Sequence, residues 1–109
     1  MFEVLDAIRE KPGMYLGHQS LMALHYWIAG FHSGRTSTGA AQLPDETEFA
    51  GFDSFVCEKY RWHDSGGWAA KIAYHHRNDA EAFDEFFKLL DEYRAAGTVA
   101  IQSQVASKL

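Results

Sequence analysis

The sequence contains few of the features that would place it in a secreted or membrane class. Cys57 is the one cysteine among 109 residues, so no intramolecular disulfide can form and a disulfide-stabilised secreted scaffold is excluded. No apolar run approaches the roughly 20 residues that a membrane-spanning helix needs. Residues 1–6 lack a basic stretch followed by a long apolar one, so we expect no secretory signal. These absences predict a cytoplasmic chain without a membrane partner.

Basic side chains are also scarce. Ten Lys and Arg residues face fifteen Asp and Glu residues, which gives a formal net charge of -5. Proteins that bind nucleic acid directly normally present a patch of Lys and Arg to the phosphates. We therefore expect no nucleic-acid partner, whereas a basic protein partner is compatible with this charge balance.

The chain is instead rich in apolar and aromatic side chains. Hydrophobic residues make up 47% of it and aromatic residues 15%, including eight Phe, five Tyr and three Trp. A chain of this length forms one domain, and large rings supply much apolar area for its core. We predict a single helical domain over residues 1–97 and a C-terminal tail over residues 98–109.

Apolar residues at helical spacing predict a mainly α fold, a compact single-domain bundle of four to five helices. Five segments carry the pattern: 2–10, a segment that begins after Ser20 and ends between Gly30 and Gly34, 46–60, 68–76, and a segment between Asn78 and Gly97. Ser20 and Asn78 are expected N-caps, and Gly97 is an expected C-cap. Two points stay open. Residues 69–75 are an alternative strand, and the tail fits a short strand, a docked extension or a disordered segment.

Six histidines raise the question of a metal site. His63, His75, His76 and Asp79 lie within seventeen residues and are the candidate ligands. Adjacent His75 and His76 point in different directions on a helix, and no two of these histidines stand at i and i+4, the usual spacing of a helical zinc site. We therefore predict no metal and no cofactor, and keep a metal-binding or small-molecule-binding protein that uses these histidines as the alternative.

No catalytic motif is evident. Ser65 stands in Asp-Ser-Gly-Gly, which is not the Gly-x-Ser-x-Gly turn of a serine nucleophile. Walker A and dinucleotide fingerprints are missing. Cys57 beside an apolar run is typical of a small buried side chain. We predict that the chain is not an enzyme.

Two groups of residues are candidates for binding a partner. Acidic residues on the polar side of the last helix are the first group: Asp84, Glu85, Asp91 and Glu92. They fit either a solvated face with an Asp84–Lys88 pair at i, i+4, or a surface that attracts a basic partner. Tyr26 and Trp27 form the second group, because they flank the apolar stripe of the second helix. They fit either core packing or interface anchors.

Residues 9–17, Arg-Glu-Lys-Pro-Gly-Met-Tyr-Leu-Gly, are similar to a segment near the start of the ATPase domain of gyrase B subunits, which reads Arg-Pro-Gly-Met-Tyr-Ile-Gly. The similarity is confined to these nine residues. The further glycine-rich nucleotide motifs of that domain have no counterpart in the right order. We interpret it as a coincidence or as shared use of a helix-ending turn, not as shared function.

A wider resemblance spans residues 3–93. It comprises the Lys-Pro-Gly-Met-Tyr-Leu-Gly turn, a Ser-Leu helix start followed by aromatic residues, a Phe-rich helix that ends in Lys59-Tyr60, Trp68, and the Ala-Phe-Asp-Glu-Phe-Phe-Lys-Leu-Leu-Asp-Glu run at 82–92. In this order the chain resembles small bacterial proteins that are similar to immunity proteins of polymorphic toxin systems.

That resemblance implies a cytoplasmic protein that binds a cognate toxin domain and blocks its active site, with no catalytic residue of its own. The acidic residues Asp84, Glu85, Asp91 and Glu92 are then expected to pair with a basic toxin, and Tyr26 and Trp27 to anchor the contact. A helical subunit of a homo-oligomer, such as a homodimer through aromatic faces, is a further alternative.

Overall fold

The computed structural model describes residues 1–64 and 66–107, and these form seven α-helices without a strand. The helices are α1 (Phe2–Glu10), α2 (Pro12–Leu16), α3 (Leu21–Ser37), α4 (Pro44–Phe49), α5 (Phe52–Tyr60), α6 (Trp68–Tyr74) and α7 (Asp79–Ser107). The predicted mainly α bundle is thereby confirmed. The alternative strand at 69–75 is wrong, since this segment is α6. Within the described ranges, no helix is long and apolar enough to cross a membrane.

Helix α7 forms one wall of the core. Its apolar stripe recurs at i, i+3, i+4 and i+7, and these side chains are buried: Phe83, Phe86, Phe87 and Leu90. They pack with buried residues of four other helices, namely Leu5 and Ile8 of α1, Leu21, Leu24 and Ile28 of α3, Phe52 and Val56 of α5, and Ile72 of α6. Burial of these side chains is the main force that holds the helices together.

Three helix boundaries differ from the expected ones, and each difference involves a glycine. Helix α3 continues through Gly30 and Gly34 to Ser37, and α7 continues through Gly97 to Ser107, so the C-cap expected at Gly97 is wrong. These glycines keep helical backbone because glycine only lowers helix propensity and does not forbid a helix. The expected helix over 46–60 is divided at Gly51, where a side chain would collide with the hydroxyl of Tyr93.

The expected N-caps at Ser20 and Asn78 are confirmed. The hydroxyl of Ser20 accepts the Ala23 amide at 3.0 Å and donates to Asp79 at the start of α7. The other carboxylate oxygen of Asp79 accepts the Met22 amide at 3.2 Å. The first turn of α3 is therefore capped by its own serine and by a residue of α7, which fixes the two helices relative to each other.

Replacing Ser20 by alanine is expected to lower the free energy of unfolding by about 1–2 kcal/mol. The change removes the cap of α3 and leaves the partly buried Asp79 carboxylate without its hydroxyl donor. Urea unfolding followed by circular dichroism measures the loss. Ser37→Ala, at the exposed end of the same helix, is the matched control and should change stability by less than about 0.5 kcal/mol. Equal effects of the two substitutions would contradict the inter-helix cap.

Candidate protein-binding surface

The polar side of α7 is an acidic face, which consists of Glu81, Asp84, Glu85, Asp91 and Glu92 and is interrupted by the exposed Lys88. These residues lie opposite the buried stripe because they occupy the remaining positions of the 3.6-residue repeat. Asp84 and Asp91 are exposed, whereas Glu85 and Glu92 are partly covered where α7 meets α5. The structure thus brings the four carboxylates expected to bind a partner onto one side of one helix.

Three of the four expected carboxylates have partners within the chain. Both oxygens of Asp91 accept from Arg9, at 2.9 and 3.1 Å. Asp84 accepts from the side-chain amide of Gln19 at 2.9 Å, and an Asp84–Lys88 ion pair is not formed in the described ranges. Glu92 pairs with Lys59 at 3.0 Å. Such exposed pairs contribute at most about 1 kcal/mol, so a basic partner could replace them at little cost.

Tyr26 and Trp27 point away from each other. Tyr26 is 68% exposed on the outer side of α3. Trp27 is half-buried, stacks on Phe31 with 5.4 Å between ring centroids and packs against the core. No ring contact, hydrogen bond or ion pair of the described residues joins either one to the acidic face. Trp27 therefore serves packing in this structure, and Tyr26 stands apart from the carboxylates.

A different set of rings reaches the acidic face through Tyr60. We call it the aromatic cluster, and it consists of Tyr60, Trp62, Tyr74 and His75 at the adjoining ends of α5 and α6. Tyr60 stacks on His75 at 4.1 Å and 6°, and Trp62 meets Tyr74 edge to face at 5.1 Å. Tyr74 is 76% exposed, more than any other large apolar side chain for which the structure gives an exposure. The cluster therefore offers rigid aromatic surface to solvent.

The short loop that follows α5 holds the cluster in place. Arg61 ends α5 in the left-handed region with φ 52°, which turns the chain so that Trp62 folds back. The indole of Trp62 donates to Asp64 at 2.6 Å, and the Gly66 amide donates to the other oxygen at 2.9 Å. The Gly66 hydrogen bond, with Trp62 and Lys71, holds the pKa of Asp64 below its ordinary value. The Asp64 carboxylate thus joins Trp62 to Gly66.

The side chain of Lys71, in α6, contacts this loop. Its side chain is 1% exposed, and its ammonium donates to the backbone carbonyls of Asp64 and Gly66. Burial lowers the pKa of Lys71, but Cys57 and Asp64 beside the ammonium more than offset this and raise it above the ordinary value. A buried lysine with several partners is a structural anchor here, because it joins the carbonyls of Asp64 and Gly66 to Cys57 of α5.

The aromatic cluster and the acidic face meet at Tyr60. Its hydroxyl is buried without a hydrogen-bond partner among the described residues. Burial, together with the charges of Glu85 and Glu92, raises the pKa of Tyr60 from 10.0 to about 12. Lys59, next in the chain, pairs with Glu92. We call the cluster together with Glu85 and Glu92 the acidic-aromatic surface.

The pKa of Tyr60 predicts a measurable alkaline titration. The unfolded chain loses this proton near pH 10 and the folded chain near pH 12, so the unfolded state binds fewer protons in between. The contribution of Tyr60 to the free energy of unfolding is therefore fully present below pH 10. It should be lost, and the free energy of unfolding should fall, as pH rises from about 10 to about 12. Tyrosinate formation can be followed by absorbance as pH is raised. The Tyr60→Phe variant should lack the component that titrates at the highest pH in the unchanged protein. Tyr93, whose pKa burial and Glu48 also raise, stays in both proteins, so the difference isolates Tyr60. An unchanged titration curve in the variant would refute the assignment.

The histidines considered as metal ligands are used separately. His75 Nδ1 lies 2.8 Å from the Lys71 carbonyl, and His63 lies 3.6 Å from Glu58. Asp79 is occupied by the α3 cap. Outside the undescribed positions, no group of three or more His, Cys, Asp or Glu side chains is arranged to hold a metal ion. His75 instead contributes its ring to the aromatic cluster.

The chain matches no family model, no curated protein and no solved structure in the comparisons made. The chain is therefore classified by its fold and surface alone. It is an all-α domain with an acidic helix face that adjoins partly exposed aromatic rings. The sequence contains one signal for the missed cluster. Tyr60, Trp62 and Tyr74 stand at the ends of two helices on either side of a Gly-Gly loop, where aromatic side chains cannot all reach the core.

Proposed function

We propose that the chain is an immunity-type protein, which binds a basic toxin domain in the cytoplasm and occludes its active site. The observation that carries the proposal is the acidic-aromatic surface, where exposed Tyr74 belongs to a group of contacting rings that meets Glu85 and Glu92 at Tyr60. The resemblance of residues 3–93 to immunity-like bacterial proteins supports the same function, and the net charge of -5 fits a basic partner.

The chemistry of such a complex is occlusion. Tyr and Trp rings bury a large apolar area with few rotatable bonds, so they lose little conformational entropy when a partner covers them. The carboxylates attract a basic surface over several ångströms and raise the association rate, most strongly at low salt. The ion pairs with Arg9 and Lys59 leave enough negative charge for this, because the acidic face keeps Glu81 and Glu85 in addition.

The experiment begins with affinity purification of the tagged chain from cells that produce it naturally, followed by mass spectrometry. We expect a stoichiometric, basic partner. That partner is then expressed alone and together with the chain in a test bacterium. An immunity-type function requires that the partner alone stops growth and that co-expression of the chain restores it.

The outcomes separate the classes. A partner that does not affect growth would refute the immunity function and leave a binding protein of another kind. A chain recovered only with itself, and whose mass by light scattering rises with concentration, would favour the homo-oligomer instead. Stoichiometric metal in the untagged protein would favour the metal-binding alternative.

A further inference from the structure

A second concave feature lies on another part of the molecule. A cleft of about 380 Å³ opens between α3, α4 and the start of α5, with Trp68 of α6 at its base. No residue that lines it belongs to the acidic-aromatic surface. Its volume lies near the lower end of the range of about 300–1,000 Å³ that is usual for small-molecule sites. The cleft therefore needs its own explanation.

Aromatic and aliphatic side chains form most of its wall. Phe49 meets Trp68 edge to face, with 6.0 Å between ring centroids, and Trp68 meets His25 in the same manner at 5.4 Å. Ile28 and Ala29 of α3 complete this wall. Such a wall accepts a flat ring, because edge-to-face and offset stacking both lie within reach.

Two carboxylates line the same cleft. The side chain of Glu46 is 4% exposed and pairs with Arg35. Asp53, at the start of α5, is exposed and forms no ion pair or hydrogen bond in the described ranges. A carboxylate without a partner favours a cationic ligand that donates a hydrogen bond to it.

The positively charged groups of Met1 and Arg35 at the cleft are already paired with carboxylates, so they do not favour an anionic ligand. The amino group of Met1 pairs with Asp45 at 2.7 Å, and Arg35 is neutralised by Glu46. His25 and His32 also line the wall. With these pairs formed, Asp53 is the charge left over, and it is negative.

We propose that this cleft binds an aromatic amine, that is, a small organic cation with a flat ring. The ring lies against Phe49 and Trp68, where the faces of these side chains also attract positive charge. The ammonium donates to Asp53, the carboxylate of the cleft that has no partner among the described residues. The inference does not depend on the proposed function, because it uses other residues and another type of ligand.

Tryptamine is the probe that tests it. Isothermal titration and ¹⁵N amide shifts should show binding with a dissociation constant of millimolar or tighter, with shifted amides around Phe49 and Trp68. N-acetyltryptamine keeps the ring but has no charge, and should bind about tenfold or more weakly, as expected for loss of a charged hydrogen bond. Indole-3-propionate, which carries the opposite charge, should bind more weakly still.

Two substitutions test the charge of the cleft and its volume separately. Asp53→Asn should weaken tryptamine about tenfold and leave N-acetyltryptamine unchanged. Ala29→Leu, at an exposed position of α3 that tolerates leucine, fills the cleft and should weaken both ligands. Asp84→Asn is the control for a lost carboxylate elsewhere and should change neither. Circular dichroism verifies that each variant is folded.

The proposal is overturned if tryptamine fails to bind at about 10 mM, if it binds no better than N-acetyltryptamine, or if Ala29→Leu leaves its affinity unchanged. None of these results bears on toxin binding, whose failure would be seen in the growth assay instead.

Discussion

Replacing Phe52 by alanine is expected to lower the free energy of unfolding by about 3–5 kcal/mol, the typical cost of removing a fully buried phenylalanine. Phe52 is 0% exposed and lies at the centre of the aromatic core. Its ring contacts five others, those of Phe49, Phe55, Trp68, Phe86 and Tyr93. Truncation therefore leaves a cavity where α4, α5, α6 and α7 meet.

Such a loss is a large share of the roughly 5–15 kcal/mol that stabilises a domain of ordinary size. Urea unfolding at one temperature, followed by circular dichroism and by Trp fluorescence, gives the value and tests whether the transition is two-state. Phe31→Ala is the matched control. Phe31 is half-buried at the rim, against Trp27, and its removal should cost clearly less. Equal costs at the two positions would mean that the core is not centred on Phe52.

Local sequence patterns predicted the helical part of the fold well. The stripe from Phe83 to Leu90 repeats with the helical period, and only one side of α7 can then face a core. The caps at Ser20 and Asn78 follow from side-chain oxygens that accept amides three residues later, a contact that needs no tertiary information. Glycines predicted boundaries poorly, because whether Gly97 ends a helix depends on neighbours rather than on glycine itself.

Contacts between distant residues could not be predicted in this way. The burial of Lys71 depends on the carbonyls of Asp64 and Gly66 accepting from its ammonium, and the burial of Glu46 depends on Arg35 reaching back from α3. Sequence alone treats both side chains as solvent-exposed, since charged residues are rarely buried without a partner. The partner becomes apparent only when the helices are packed.

The candidate binding surface also has one part that the sequence predicts and another part that depends on how the helices pack. The acidic face of α7 follows from helical periodicity, so Asp84, Glu85, Asp91 and Glu92 were found together. The rings beside it depend on how α5 and α6 cross α7, and the sequence favoured Tyr26 and Trp27 of α3 instead. The structure places Tyr60 within the field of Glu85 and Glu92 and leaves Tyr26 on another helix. Which rings anchor a partner is therefore a question for binding measurements.

The second large effect is expected in the complex that we propose. Tyr74→Ala should weaken the affinity for the basic partner about 30-fold, which corresponds to about 2 kcal/mol for an aromatic anchor at the centre of an interface. The free chain should keep its stability, because the Tyr74 side chain is 76% exposed and supports no buried contact of the core. Surface plasmon resonance should show the loss mainly as faster dissociation.

Tyr26→Ala is the matched control, since Tyr26 is a similarly exposed tyrosine on α3 at 68%. It should leave the affinity unchanged if the acidic-aromatic surface makes the contact. The reverse result, a loss for Tyr26→Ala and none for Tyr74→Ala, would assign binding to the α3 surface instead. Glu85→Gln adds a kinetic criterion, because removing a steering charge should slow association at low salt and have little effect at high salt. A variant that accelerates dissociation and another that slows association, both on one surface, would together locate the interface where the rings of α5 and α6 meet the carboxylates of α7.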